Sequence, residues 1–107
     1  MPVIIVSNLV PNDGAADTAL EILSRWIPVI QQQPGCQRYA IHKGRGAARG
    51  RLLLLEQWAD DDALRRYGES ADLRALHAEL ESHVHSLEDY LVYAPVPAGD
   101  CAKGVLG

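Results

Sequence analysis

The chain has 107 residues, 48% hydrophobic and 22% charged, with a formal net charge of −4 from 14 acidic and 10 basic side chains. This length holds one domain of about 100 to 150 residues and leaves no space for a separate cofactor domain. Disorder and collagen-like repeats are excluded by composition, and the acidic balance lacks the basic footprint of a nucleic-acid binder. The 2 cysteines, Cys36 and Cys101, make neither a disulfide scaffold nor a C-x-x-C pair, which favours a reducing compartment. The opening segment from Met1 carries no basic leader, and no stretch approaches the roughly 20 apolar residues of a membrane span, so a soluble, cytoplasmic protein is expected.

Val3 to Val10 is apolar and β-branched and stops at Pro11-Asn12-Asp13-Gly14, a strand followed by turn residues. From Ala15 to about Gln33, Ala19, Leu20, Leu23, Ile27 and Ile30 recur at helical spacing, with Thr18-x-x-Glu21 as a potential capping box and Pro28 predicting a kink. Pro34-Gly35 ends that element. Gln37 to Lys43 and Arg51 to Trp58 read as a hairpin joined by the glycine-rich segment Gly44 to Gly50. Asp60-Asp61-Asp62 caps a short helix to about Tyr67, and a second helical stretch is expected from Ser70 to Ser86, with Leu73, Leu76, Leu80, Val84 and Leu87 on one stripe. Tyr90 to Val96 is the last expected strand.

Strand, helix, strand, strand, helix, strand is the order of an α+β, ferredoxin-like split βαβ fold, a four-stranded antiparallel sheet with helices on one face. Val3-Ile4-Ile5-Val6, Leu52-Leu53-Leu54-Leu55 and Tyr90-Leu91-Val92-Tyr93 are apolar at both parities, so both sheet faces require cover. Helices supply one layer. A second copy meeting the open face would supply the other, giving a homodimer through its sheet faces.

Pro34-Gly35-Cys36 followed by Tyr39, Glu56-Gln57-Trp58 closing the third strand, the acidic start Asp60-Asp61-Asp62-Ala63-Leu64, and Tyr93-x-Pro95-Val96 stand in that order. Their order and spacing resemble the antibiotic biosynthesis monooxygenase (ABM) domain of the dimeric α+β barrel superfamily. The resemblance spans Val3 to Val96, so residues 1–96 read as the domain and 97–107 as a tail. It implies a dimer that oxidises a small phenolic or quinol-type aromatic substrate with dioxygen and without metal, flavin or other cofactor. Where members of that family often carry a histidine at the start of the last helix, this chain has Asp72. Haem-degrading relatives in the same superfamily use an asparagine, a tryptophan and an axial histidine; Asn8 and His77 match two of these, and Tyr67 stands in the tryptophan's place.

On their own terms, Asn8 shares the parity of Ile4 and Val6 and either caps a strand end or positions a substrate oxygen. His77 sits at the margin of the Leu73, Leu76, Leu80 stripe, where it can reach a cavity; with Glu81 it has metal-compatible spacing but no third ligand, so no metal site is expected. Tyr67 and Tyr39 can face the same space, and Trp58 fills core volume or lines the cavity. The expected site is therefore His77 as base, Asn8 and Tyr67 as hydrogen-bond donors, and Trp58 and Tyr39 as substrate-binding lining. A non-catalytic small-molecule-binding dimer is the competing class, and haem binding is a third.

Overall fold

A computed structural model describes residues 1–100 and 102–104, with the side chains of all of these except 86–89. Cys101 and the end of the expected tail, 105–107, lie outside the described residues. The strands β1 (Val3–Pro11), β2 (Cys36–Lys43), β3 (Leu52–Trp58) and β4 (Val84–Tyr93) form one antiparallel sheet in the order β2-β3-β1-β4. Helices α1 (Ala16–Ile30), α2 (Asp61–Gly68) and α3 (Ala71–Leu80) complete the ferredoxin-like α+β architecture.

The apolar runs of β1 and β3 divide by parity. Val3, Ile5 and Leu9 of β1 and Leu52, Leu54 and Trp58 of β3 share a core with Ala19, Ile22, Leu23 and Ile30 of α1, Ala63 and Tyr67 of α2, and Leu76 and Leu80 of α3. Ser7 and Glu56 are buried on the same parity. On the other face Val6, Val10, Leu53 and Leu55 are only half-buried, and the neighbouring edge strand β4 leaves Leu91 and Tyr93 about half exposed. The double-sided hydrophobicity thus has its cause on the helix face and an uncovered remainder on the other.

Several boundaries differ from those read in the sequence, among them the end of the last strand, at Tyr93 rather than Val96. Helix α1 begins at Ala16, with no side-chain cap at Ala15, so Thr18 already lies in the first turn and the Thr18–Glu21 box does not start the helix. The cause is the preceding turn: Gly14 takes a φ of 77° and Ala15 N–H donates to Asn12 O at 2.8 Å, which brings the chain into helical conformation early. Pro28 falls in the last turn, where one backbone bond is lost close to the end, and the helix stops at Ile30 rather than Gln33.

The helical stretch expected to reach Ser86 stops at Leu80. Asn12 enforces this, its N–H donating to His83 O at 2.9 Å and its Nδ2 to Ser82 O at 3.0 Å, while Pro11 pairs with Val84. Val84 therefore opens β4, which begins well before the expected Tyr90, and the side chain of Leu87 lies outside the described residues. Between the pairs Val6↔Leu91 and Asn8↔Glu88, β4 places Asp89 and Tyr90 opposite the single residue Ser7, a β-bulge.

The cap of α2 falls within the aspartate run read as capping, and Ser70, where the second helical stretch was expected to begin, caps α3. Asp60 Oδ1 accepts from Ala63 N–H at 2.8 Å, and Ser70 Oγ accepts from Leu73 N–H at 3.1 Å. Asp61 and Asp62 follow in the first turn of α2, where the helix dipole favours negative charge.

Candidate active site

A cavity of about 540 Å³ opens between the helix layer and the sheet. Its apolar wall comes from Leu9, Leu23, Leu54, Leu64, Leu73, Leu76, Leu80 and Val84. The spacing of leucines on α3 that predicted a core stripe thus also builds one side of the pocket. Its polar groups fall into two sets. Ser7, Tyr39, Glu56 and Tyr67 are all buried, at most 4% exposed, whereas His77, Glu81 and Tyr90 are exposed and border the mouth.

The buried set is held by cross-strand pairing and ring packing. Tyr39 of β2 lies directly opposite Glu56 of β3, and Glu56 opposite Ile5 of β1. The Tyr39 and Tyr67 hydroxyls are 3.0 Å apart and their rings meet edge-on at 5.9 Å between centroids. Trp58 stacks on Tyr67 at 4.6 Å and donates its indole N–H to Glu56 Oε1 at 3.0 Å.

Burial sets the electrostatics. Loss of water raises the Glu56 carboxyl to about 7 although the Trp58 indole favours the carboxylate. Burial also pushes the Tyr39 and Tyr67 phenols well above the ordinary tyrosine range, and the Glu56 charge adds to both shifts. Both phenols consequently remain neutral hydrogen-bond donors. Burial raises the Tyr90 hydroxyl and the Cys36 thiol too, so neither supplies an anion near neutrality.

The expected site residues are only partly brought together. His77, Tyr67 and Tyr39 line the cavity. Asn8 does not: it shares the Val6 parity, on the sheet face away from the helices, and its strand neighbour Ser7 lines the cavity instead. That placement corrects its grouping with His77 and Tyr67 and also separates the Asn8–His77 pair on which a haem site would depend. Trp58 is fully buried behind Tyr67 and sets its position without lining the cavity. Asp72, in the place of a family histidine, accepts a hydrogen bond from Gln33 Nε2 at 2.8 Å and lies outside the cavity wall.

Glu56 is the site residue that sequence reasoning noted only as part of a motif. The available signal was parity: a carboxylate alternating with Leu52, Leu54 and Trp58 must share their buried face. Among the described residues no group of three His, Cys, Asp or Glu side chains is placed to hold a metal ion, and no helix is long and apolar enough to cross a membrane.

The profile of the family described as antibiotic biosynthesis monooxygenase matches residues 2–79. The chain belongs to this family. Solved structures with the ABM fold of this chain include Rv0793 from Mycobacterium tuberculosis, 21% identical over 94% of this chain and 100% of that one, with a TM-score of 0.80. PA3566 from Pseudomonas aeruginosa is 20% identical over 86% and 89% of the respective chains, with a TM-score of 0.73. SnoaB from Streptomyces nogalater, a cofactor-independent oxygenase, is 19% identical over 87% and 91%, with a TM-score of 0.76. At these identities the likeness is one of fold. A comparison with curated proteins finds no match.

Proposed function

We propose that this ABM protein is a cofactor-independent monooxygenase that oxidises a small phenolic or quinol-type aromatic substrate with dioxygen. The observation that carries this reading is the cavity itself, apolar over most of its wall with a buried carboxyl and two neutral phenols on one side. An aromatic ring is stabilised by the leucine wall, and its hydroxyl seeks the polar side.

The chemistry asks for a proton acceptor, a donor for the resulting anion and exclusion of water. Deprotonation makes the ring electron-rich enough to pass an electron to dioxygen. Combination at a ring carbon bearing hydrogen and loss of water then convert phenol and dioxygen into quinone and water, the substrate supplying all the electrons. Tyr67 is the donor toward the substrate anion and Tyr39 supports it through their shared hydrogen bond. His77, the base expected from the sequence, borders the mouth, where it can pass protons between the cavity and solvent.

The same reading includes a homodimer through the sheet face that the helices leave open, supported by the half-buried Val6, Val10, Leu53 and Leu55. Cys36 is a free thiol, which suits a reducing cytoplasm. Oxygen uptake with a panel of phenols and quinols tests the activity: labelled dioxygen should deliver one oxygen atom to product and one to water. Saturable aromatic binding with no uptake would instead establish a binding protein.

A further inference from the structure

We propose that Glu56 accepts the substrate proton, its carboxylate acting from the buried side of the cavity beside Tyr39 and Tyr67. This rests on the oxygenase reading for the class of substrate and adds the group that activates it.

Geometry carries the assignment. Glu56 is the carboxyl on the buried side of the cavity; Glu81, the other carboxyl among the described lining residues, is exposed at the mouth. One Glu56 oxygen is engaged by the Trp58 indole, which fixes the side chain's direction. A phenol whose ring lies against the leucines would bring its hydroxyl to the side where Glu56 can accept and Tyr67 can donate. The exchange balances: substrate O–H breaks, Glu56 O–H forms, and the phenolate retains the electron pair.

Burial, opposed by the Trp58 hydrogen bond, sets the proton affinity of Glu56. The titratable side chains nearest it are Cys36 and Tyr39 from β2, Tyr67 from α2 and Tyr90 from β4, and burial raises these four; His77 of α3 and Glu81 just after it border the same cavity at its mouth. All four are neutral where Glu56 changes charge. Burial raises the Glu56 carboxyl to about 7, which makes its carboxylate a stronger proton acceptor than an exposed glutamate. Donation from Tyr67 to the substrate oxygen favours the phenolate and so assists the transfer.

The test has two arms on the full chain. In the first, the protein carries ¹³C at glutamate Cδ, and the Glu56 signal is identified by its loss in Glu56→Gln. Its titration is followed under argon with phenol or with toluene, a ring of similar size that cannot donate. Phenol should lower the midpoint by about half a unit or more relative to toluene, a roughly threefold gain in the carboxylate form. Equal midpoints overturn the assignment.

In the second arm, oxygen uptake by Glu56→Gln should fall by about a hundredfold or more in kcat with KM within about threefold, and the acidic limb of the profile should disappear. Glu56→Asp should recover part of the rate and keep the limb, and His77→Ala should also keep it. Full uptake by Glu56→Gln overturns the assignment. If the wild-type chain consumes no oxygen with any phenol or quinol, the oxygenase reading fails separately, and the first arm still decides whether Glu56 is a proton acceptor.

Discussion

Tyr67 lies stacked on Trp58 with 20° between ring planes and has its hydroxyl 3.0 Å from that of Tyr39. Trp58 therefore acts on the cavity through Tyr67. Tyr67→Phe should preserve the stack but leave the buried Tyr39 hydroxyl without that partner, at a stability cost of about 1 to 3 kcal/mol by thermal or chemical unfolding. Turnover should fall about ten- to a hundredfold, less than for Glu56→Gln, because a donor is lost while the acceptor remains.

The buried carboxyl also predicts a pH dependence of stability. Burial raises the Glu56 carboxyl in the folded state to about 7, against 4.5 for an ordinary glutamate. The folded state consequently binds the proton more tightly than the unfolded state, and this contribution is fully present below about pH 4.5 and lost as pH rises through about 7. The loss amounts to about 3 kcal/mol. Unfolding followed from pH 5 to 8 should show wild-type stability declining across that window, with a flatter curve for Glu56→Gln and its relative gain greatest near pH 8.

Adjacent leucines of β3 should respond differently to charge. Leu54 packs into the helix-side core, whereas Leu53 is half-buried on the opposite face. Leu54→Asp should prevent folding, since an unpaired charge in the core costs several kcal/mol. Leu53→Asp should leave a folded chain with helical circular dichroism and shift sedimentation equilibrium from dimer to monomer. A Leu53→Asp protein that remains dimeric would place the interface elsewhere.

Gly35 joins α1 to β2 at a φ of 82°, and a Cβ there would run into the Cβ of Ala63 on α2. Its carbonyl also accepts from Ala59 N–H at 2.8 Å, tying the turn to the chain just before α2. Gly35→Ala should cost about 2 to 4 kcal/mol from combined backbone strain and overlap. A melting curve within a degree of wild type would contradict this.

Parity and turn residues made most of the fold readable. Gly14 and Pro34-Gly35 marked the ends of their elements, and Asp60 marked a helix start because a cap is a local interaction that needs no distant partner; the Ser70 cap emerged with the structure. Val84 was harder. It continued the leucine periodicity of α3, and only the Asn12 bonds to Ser82 and His83, contacts distant in sequence, show that the chain has already turned into β4. The site was divided in the same way. Tyr39 and Tyr67 could be placed from spacing, whereas the separation of Asn8 from His77 follows only from which sheet face the helices cover. Glu56 was harder to place because acidic residues are commonly solvated, and only its parity with Leu52, Leu54 and Trp58 marks it as buried.

The 2 tryptophans of the chain each donate an indole N–H to a carboxylate, Trp58 to Glu56 at 3.0 Å and Trp26 to Glu79 at 2.7 Å. Of the two, Trp58 is fully enclosed, and burial raises its partner's carboxyl to about 7. The protein thereby contains its own optical gauge of the cavity: with iodide quenching the more accessible Trp26, the remaining emission should follow the Glu56 proton as pH passes through neutrality. A ligand that draws on that carboxylate would become visible without a label.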